Sequence, residues 1–241
     1  MDYDKNYYSE DRRVGDRCFF DERDTYLEFN ADLKSFEISP GALNTDYAPQ
    51  AGLNGFQLYH FECDPMLLDM EFYIGGPSYE AVQTNISQLL KTARQCVIRK
   101  EGDIFEYAGV LIDRASENTG VEPYYLLSLR FAVIRRKPRV TKQICGSATI
   151  YNEGNEESGV WISVTPESEM GSITIMGITL EDLSPGVTYV IDGLAGRVTA
   201  NGINYFAHTD IIDFPKMQPG KNEIVVSEEI PITVSFYPVF S

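Results

Sequence analysis

The second part of the chain, from residue 141 onward, consists of short apolar runs separated by turn signals. No segment in it has the apolar spacing of about 3.6 residues that marks an amphipathic helix. Short strands with Gly- and Pro-containing turns between them are typical of an antiparallel sandwich or jelly roll. We therefore expect an all-β domain over residues 141–241. The supporting turn signals are Asn152-Glu153-Gly154, Ser184-Pro185-Gly186, Asp192-Gly193, Asn201-Gly202 and Pro219-Gly220.

The first part, residues 1–140, mixes helical and strand-like patterns, which predicts an α+β domain. One helix is expected after Ser78, which can cap it, because apolar side chains recur at helical spacing as far as Ala93. Alternating apolar and polar residues predict several strands. Their predicted positions are 66–74, 95–100, 104–112 and 124–134.

Two stretches of the first part have weak periodicity. The first 30 residues are polar and rich in Tyr, Asp and Arg, so we expect an extended arm or a peripheral strand there. Gly-containing turn signals between Pro40 and Gly55 predict a loop-rich stretch.

The strand predicted at 124–134 is apolar on one face and mixed on the other. A sheet that faces water would alternate more cleanly, so the mixed face is expected to meet another layer or another subunit. The candidate residues of this subunit contact are Glu71, Tyr73, Tyr124, Leu126 and Arg130.

Acidic side chains dominate the charge. Asp and Glu number 36 against 20 Lys and Arg, which gives a formal net charge of −16. Nucleic-acid binding requires clustered basic residues, so specific binding of this kind is not expected. The short basic run at 135–139 is interpreted as an exposed linker, with a domain boundary at 136–146, and a nucleic-acid contact there is the weaker alternative.

No apolar run approaches the roughly 18 residues of a membrane span, so membrane insertion is not expected. The acidic amino terminus has no apolar segment, and no secretory signal is predicted.

The motifs of common enzymes are missing from the sequence. It contains no G-x-S-x-G elbow, phosphate loop, G-x-G-x-x-G or H-E-x-x-H segment. His60 and His208 are the only histidines, and the four cysteines lack C-x-x-C spacing, which predicts free and mostly buried thiols. We therefore predict no catalytic residue, no cofactor and no metal site. A pair of converging carboxylates, as in glycosidases, stays open because acidic residues are so numerous.

Several segments together carry a family resemblance. Their succession resembles the distal tail proteins (Dit) of bacteriophages with long, non-contractile tails. In the first part, the similarity lies in a strand at 66–74, a Gly-Pro turn, one amphipathic helix and an aromatic-rich strand that ends in basic residues. In the second part the segments are Tyr151-Asn152-Glu153-Gly154, Trp161-Ile162-Ser163-Val164, the run from Leu183 to Gly193, and Phe214-Pro215-Lys216-Met217-Gln218-Pro219-Gly220-Lys221-Asn222.

The resemblance implies a structural virion protein at the distal end of the tail, made in the cytoplasm of the host bacterium. The first domain would be a belt domain akin to tail-tube proteins, and six copies would form a ring. The second would be galectin-like. Implied partners are the tail-tube protein, the tail-tip protein of the lysin or spike hub, the tape-measure protein and receptor-binding proteins. We also hypothesise that part of the negative charge of six copies lines the lumen and repels passing DNA.

Two other functions are weighed against this one. A carbohydrate-binding protein would use the galectin-like half for attachment to the host surface, with Trp161 stacked on a sugar ring if its side chain is exposed. A position of Trp161 in the core between two sheets is the commoner case. A cell-wall hydrolase would require two carboxylates that converge in a cleft.

Overall fold

The computed structural model describes residues 14–49, 56–121 and 123–241, and their side chains except at 49, 56 and 61–63. These residues form two compact units. The described residues up to Arg135, together with Ser241, make up the first unit, and Arg136–Phe240 make up the second. The assignment of these parts to a ring-forming domain and a galectin-like domain stays a prediction.

The described residues of the first unit form a sheet, a separate hairpin and two helices. The strands are β1 (Cys18–Phe20), β2 (Arg23–Asp24), β3 (Ala31–Ser39), β4 (Leu43–Pro49), β5 (Phe56–Cys63), β6 (Met66–Ile74), β7 (Gln95–Lys100), β8 (Glu106–Asn118) and β9 (Tyr125–Arg136), and the helices are α1 (Thr25–Phe29) and α2 (Tyr79–Ala93). The sheet has the strand order β2-β1-β7-β8-β9-β6-β3, with neighbouring strands hydrogen-bonded.

The helix α2 and the strand β6 confirm their sequence predictions. The Ser78 side chain accepts a hydrogen bond from the Ala81 backbone N–H at 3.2 Å and so caps the helix. The apolar stripe of α2 is buried in the same core as one face of β6 and β9. The buried residues of α2 are Val82, Ile86, Leu89 and Ala93, and those of the strands are Leu68, Met70, Phe72, Ile74, Leu127, Leu129, Phe131 and Val133.

The prediction of a single helix was wrong. Of the two expectations for the first 30 residues, the described part bears out the peripheral strand and not the extended arm, since β1 and β2 lie at one end of the sheet. Residues 25–29 form α1, whose N-terminus is capped by the Asp24 carboxylate, with bonds from the amides of Tyr26 at 3.0 Å and Leu27 at 3.2 Å. Phe20 of β1 is fully buried, and its ring lies edge-on to that of Phe72, with centroids 5.9 Å apart. A helix of one turn is too short to show apolar periodicity. Residues 1–13 lie outside the described part, and the arm stays a prediction for them.

In the stretch expected to be loop-rich, residues 43–49 form β4 instead, and residues 50–55 lie outside the described part. β4 pairs with β5 in a hairpin, and neither pairs with another strand among the described residues. The base of the hairpin is tight: a Cβ on Gly41 would lie 1.8 Å from the backbone oxygen of Asp64. The exposed face of each strand carries both polar and apolar side chains, so no alternation marks the strands in the sequence. The strand expected at 104–112 also runs on to Asn118, through residues that are all exposed.

The second unit contains no α-helix, as predicted, and its one helical turn is the short 3-10 segment Phe206–His208. Its strands are β10 (Val140–Cys145), β11 (Ala148–Asn152), β12 (Ser158–Val164), β13 (Met170–Ile175), β14 (Ile178–Leu183), β15 (Tyr189–Asp192), β16 (Arg197–Ala200), β17 (Ile203–Asn204), β18 (Lys216–Met217), β19 (Gly220–Ile224), β20 (Pro231–Phe236) and β21 (Val239–Phe240). One sheet has the strand order β10-β20-β12-β15-β16-β17. Two further strand pairs are β11-β19 and β13-β14, and an isolated β-bridge between Ile175 of β13 and Val226, which follows β19, connects them.

Strands of both groups bury apolar side chains in one common core, so the unit is a β-sandwich. The five turn signals named in the sequence lie between successive strands or at their ends. No helix among the described residues of either unit is long and apolar enough to cross a lipid bilayer.

One segment of the family resemblance, residues 214–222, contains a turn that explains its composition. Met217 is fully buried in the core, and Gly220 has a φ of +85°, which a side chain would strain. The Asn222 amide nitrogen donates to the backbone oxygens of Gln218 at 2.7 Å and Gly220 at 3.0 Å, while its oxygen accepts from the Gln218 N–H at 2.8 Å. The asparagine therefore holds the turn together.

We expect Asn222→Ala to lower the free energy of unfolding of the second unit by about 1–3 kcal/mol, because it removes three hydrogen bonds and leaves turn groups without partners. Guanidinium unfolding followed by the fluorescence of Trp161, the only tryptophan, measures this change. Lys221→Ala is the matched control, since this neighbouring side chain is 69% exposed. Equal midpoints for the two variants would contradict the stabilising role of Asn222.

Candidate functional site

The five predicted contact residues lie on one face of the first unit's sheet, which we call the outer face. Tyr73 of β6 is paired with Leu126 of β9, and Glu71 lies two residues before Tyr73 on the same side of the strand. Arg130 is on the same side of β9 as Leu126, and Tyr124 directly precedes this strand with the same parity. The structure thus brings all five together, opposite the buried face. Their role in subunit contact stays a prediction.

Two ion pairs order the outer face. Arg130 and Asp69 are directly opposite on β9 and β6, and the guanidinium donates to both carboxylate oxygens, at 2.6 and 3.2 Å. The Lys34 Nζ lies 2.9 Å from Glu71 Oε2. The hydrogen bond to Asp69 raises the pKa of Arg130, and the bond to Glu71 raises the pKa of Lys34. Since these groups are exposed, the pairs fix side-chain positions more than they stabilise the fold.

A shallow depression of about 440 Å³ lies on the outer face around the Asp69–Arg130 pair. Its lining combines carboxylates, two guanidiniums and two hydroxyls. Neither here nor elsewhere in the described part of the chain do three or more His, Cys, Asp or Glu side chains form a group that could hold a metal ion. The surface is therefore polar and of mixed charge. The lining side chains outside the pair are Ser35, Glu37, Met70, Glu71, Asp113, Arg114, Ala115, Ser128 and Leu129.

One end of the outer face is aromatic. Tyr73 and Tyr124 are 43% and 48% exposed. A Cβ on Gly75 would lie 2.6 Å from Cε1 of Tyr124, so this glycine leaves room for the ring. The Lys34 ammonium lies 5.6 Å from the centre of the Tyr73 ring. Tyrosine is enriched in protein interfaces relative to the rest of the protein surface.

A second feature, which the sequence did not reveal, is an open strand edge. β8 is paired with β7 only as far as Val110, and Leu111 adds one more bond to the Arg94 carbonyl. Beyond that point residues 112–118 have β9 on one side and no strand among the described residues on the other. Beside this edge a groove of about 340 Å³ separates β8 from α2. We call the strand segment 112–118 the β8 edge.

The hairpin β4-β5 exposes apolar side chains without a core beneath them. Tyr47 and Leu58 are opposite each other across the two strands, and each is 58% exposed. Leu43 and Tyr59 are similarly exposed. A two-stranded hairpin of this kind is marginally stable in water, which favours a partner in the assembled state.

Trp161 of β12 is neither fully buried in the core nor open to solvent on both faces. Its side chain is half-buried, and the Arg139 guanidinium lies 4.9 Å from the ring centre. One face of the indole is therefore covered by a cation. A sugar could stack on this ring only after Arg139 moves away.

The cysteines are in different environments. Cys18 and Cys96 are buried free thiols, as predicted, whereas Cys145 is exposed, and the side chain of Cys63 is outside the described part. Desolvation raises the pKa of the Cys96 thiol to about 12 and raises that of Cys18 further. Because the thiolate is the reactive form, both buried thiols are inert in the folded protein.

In a Cys63→Ser variant we expect maleimide to label Cys145 at once and to leave Cys18 and Cys96 unlabelled until the first unit unfolds. The raised pKa alone reduces the thiolate of Cys96 by roughly a thousandfold, from a usual pKa of 9.0 to about 12. Mass spectrometry of labelled peptides measures each site. Rapid native labelling of either buried thiol would contradict the described packing.

The fold as a whole is similar to that of solved phage proteins. The Dit protein of phage SPP1, described as a paradigm of the hub of the adsorption apparatus in phages that infect Gram-positive bacteria, has a TM-score of 0.71 and 13% identity with this chain. The similarity covers 93% of this chain and 99% of that one. The chain has a Dit-like fold.

Two structures of the phage P2 baseplate in its activated conformation, with Ca and with Sr, also match. Their TM-scores are 0.55 and 0.56, with 8% identity, over 86% of this chain and 90% of the matched chain. No protein-family model matches this sequence, and no curated protein matches it. The resemblance to Dit proteins predicted from the sequence is therefore confirmed at the level of the fold.

Proposed function

We propose that this chain is a structural component of the tail tip of a phage with a long, non-contractile tail, where six copies form a ring and catalyse no reaction. The observation that carries the proposal is the Dit-like fold, which extends over 93% of the chain and 99% of the SPP1 protein. That protein belongs to an adsorption hub, and a hub is a part on which other proteins assemble. The localisation follows: the distal end of the tail of the virion.

The first unit has the two different surfaces that a ring requires. A cyclic ring is built from head-to-tail contacts, in which one surface of each copy meets another surface of the next. β3 is the last strand at one end of the sheet. The opposite end of the sheet is β2, and the β8 edge lies inside the strand order, where β7 ends and residues 112–118 have no paired strand on that side among the described residues. We infer that β3 of one copy adds to the β8 edge of its neighbour.

The shape and chemistry of the β8 edge fit an added strand. The groove beside it lies between α2 and residues 114–116, and its helix side carries Gln83, Ser87 and Leu90. An incoming strand would satisfy backbone groups that now face water and would cover the apolar part of Leu90. β3 spans nine residues, which is longer than the edge that it would cover.

The ring would connect the tail tube to the tail-tip protein, with the tape-measure protein and receptor-binding proteins as further partners. The outer face supports such contacts, because it combines exposed tyrosines with fixed ion pairs of both signs. In a ring closed through strand edges, this face would remain free for neighbours above, below or within the bore.

Native mass spectrometry and electron microscopy test the ring. The chain is examined alone and mixed with the tail-tube protein of the same phage, because assembly can depend on that partner. The expected complex contains 6 × 27.2 kDa, about 163 kDa, of this chain and appears six-fold in projection. A different stoichiometry, or a monomer in both samples and at the tail end of purified virions, would refute the proposal.

The carbohydrate-binding alternative is not favoured by the structure at the residue that suggested it. One face of Trp161 is covered by Arg139, and the indole is half-buried on β12. We therefore do not propose it as a second function.

A further inference from the structure

The second unit has an exposed apolar patch that the ring does not use, formed by the side chains of Leu194, Ile203, Phe206, Ile212 and Phe214. Four of them are largely exposed: Ile212 at 95%, Ile203 at 74%, Leu194 at 55% and Phe206 at 44%. Clustered apolar exposure of this kind marks interaction sites in soluble proteins. We call this surface the apolar patch.

Contacts and short separations along the chain connect the members of the apolar patch: Ile203 lies three residues before Phe206, and Ile212 lies two before Phe214. The rings of Phe206 and Phe214 have centroids 6.5 Å apart. A Cβ on Gly196 would lie 3.8 Å from Phe214, which places the turn that carries Leu194 against the same ring. Ile203 is on β17, the last strand of its sheet, immediately before the Phe206 turn.

The patch is held in a fixed conformation. The Phe206 N–H donates to Asn204 Oδ1 at 3.2 Å, and the Thr209 hydroxyl donates to the Phe206 carbonyl at 2.8 Å. Beside it the Tyr205 ring stacks on His208 at 4.5 Å, and its hydroxyl donates to the Glu181 carbonyl at 2.7 Å. A partner would therefore bind a surface whose side chains are already ordered, which reduces the entropy cost of binding.

The surroundings of the apolar patch are acidic. Between residues 177 and 216 the chain has five carboxylates and two Arg or Lys side chains: Arg197, which already pairs with Asp192 at 3.4 Å, and Lys216, which already pairs with Glu157. Asp213 lies between two patch residues in sequence, and Asp182 lies 3.5 Å from the His208 ring nitrogen. The remaining carboxylates are those of Glu181 and Asp210.

We propose that the apolar patch binds a protein segment that carries apolar side chains next to Lys or Arg. The apolar centre would desolvate the partner's aliphatic or aromatic residues, and the acidic surroundings would select basic flanks. A sugar fits less well, because stacking requires open aromatic faces and three of the five patch residues are aliphatic. The proposal is independent of the ring, since no patch residue belongs to the first unit.

The test uses the full chain and fluorescein-labelled peptides of alternating Leu and Lys, Leu and Glu, or Ser and Lys, with anisotropy as readout. We expect binding of the Leu–Lys peptide alone, weakened by salt. Ile203→Ser with Ile212→Ser should weaken it about tenfold or more, and Glu181→Gln with Asp213→Asn should weaken it and reduce its salt dependence.

The matched control is Tyr151→Ser with Val225→Ser, which removes two apolar side chains that are 71% and 61% exposed elsewhere on the same unit. It should bind like the unaltered chain. Equal binding of the Leu–Glu or Ser–Lys peptide, or equal loss in patch and control variants, would overturn the proposal. So would binding of an N-acetylglucosamine oligomer that the patch substitutions abolish, which would assign the surface to a glycan.

Discussion

Phe72→Ala is expected to lower the free energy of unfolding of the first unit by about 3–5 kcal/mol. The Phe72 side chain is fully buried on β6, and the ring of Phe20 lies edge-on to it at 5.9 Å. Removing the ring loses both the transfer energy of its surface and the contacts around the cavity that it leaves. This loss is a large fraction of the stability of a domain of ordinary size.

The matched control for Phe72→Ala is Tyr73→Ala, the next residue of the same strand. Its side chain points to the outer face and is 43% exposed, so we expect a loss below about 1 kcal/mol. The unfolding of the first unit can be followed by maleimide labelling of Cys18 and Cys96, which are protected in the folded protein. A Tyr73 variant as unstable as the Phe72 variant would show that the outer face is covered in the folded chain.

Cross-linking across the proposed ring contact is expected to convert the monomer band into a ladder that ends at six copies. In a Cys63→Ser, Cys145→Ser background, Glu37→Cys on β3 is combined with Ala115→Cys on the β8 edge and treated with a short bismaleimide. Strand addition brings facing residues of neighbouring strands to about 4.5–5.5 Å between Cβ atoms. Each copy would then be joined to the next, so the product grows with ring size. Glu37 and Ala115 also line one depression within a copy, so links within a chain are identified by peptide mass spectrometry of the monomer band and are not counted.

Two controls separate the strand pairing from the ring itself. Each single-cysteine variant should give no ladder, and Glu37→Cys with Lys91→Cys, on the helix α2, should give far less product. A six-copy complex by native mass spectrometry without the Glu37–Ala115 ladder would refute the pairing of β3 with the β8 edge and keep the ring. Absence of both would refute the two proposals together.

The sequence predicted best those elements in which the periodicity of burial is complete. β6 has a buried residue at every second position from Leu68 to Ile74, and the bounds of the strand match the prediction. The helix α2 has both a side-chain cap at Ser78 and an unbroken apolar stripe. The all-β character of the second unit was equally clear, because every turn signal coincides with a strand end.

The missed elements are those whose order comes from distant residues. α1 is one turn long, and its position depends on the Asp24 cap and on core contacts of Phe29 that no local pattern shows. The hairpin β4-β5 buries no described side chain fully, so burial imposes no alternation on its residues. The continuation of β8 to Asn118 is exposed on both faces, and its edge becomes visible only from the end of β7.

The candidate site was predictable in part. The five contact residues share a face because strand parity is fixed by sequence once the strands are known. The partners of their charges, such as Asp69 opposite Arg130, depend on the register between β6 and β9, which lie more than fifty residues apart. The apolar patch depends in the same way on tertiary contacts between Phe206 and Phe214.

The two hydrophobic cores draw on separate stretches of the chain, one between Cys18 and Val133 and the other between Ile150 and Phe236. A genetic crossover in the codons for 134–139, which precede β10, would therefore join two complete cores and break neither. Under the two proposals above, recombination between related phages would exchange the second unit with its apolar patch while the first unit, which we propose forms the ring, is inherited unchanged. The two proposed contacts would then evolve at different rates within a single gene.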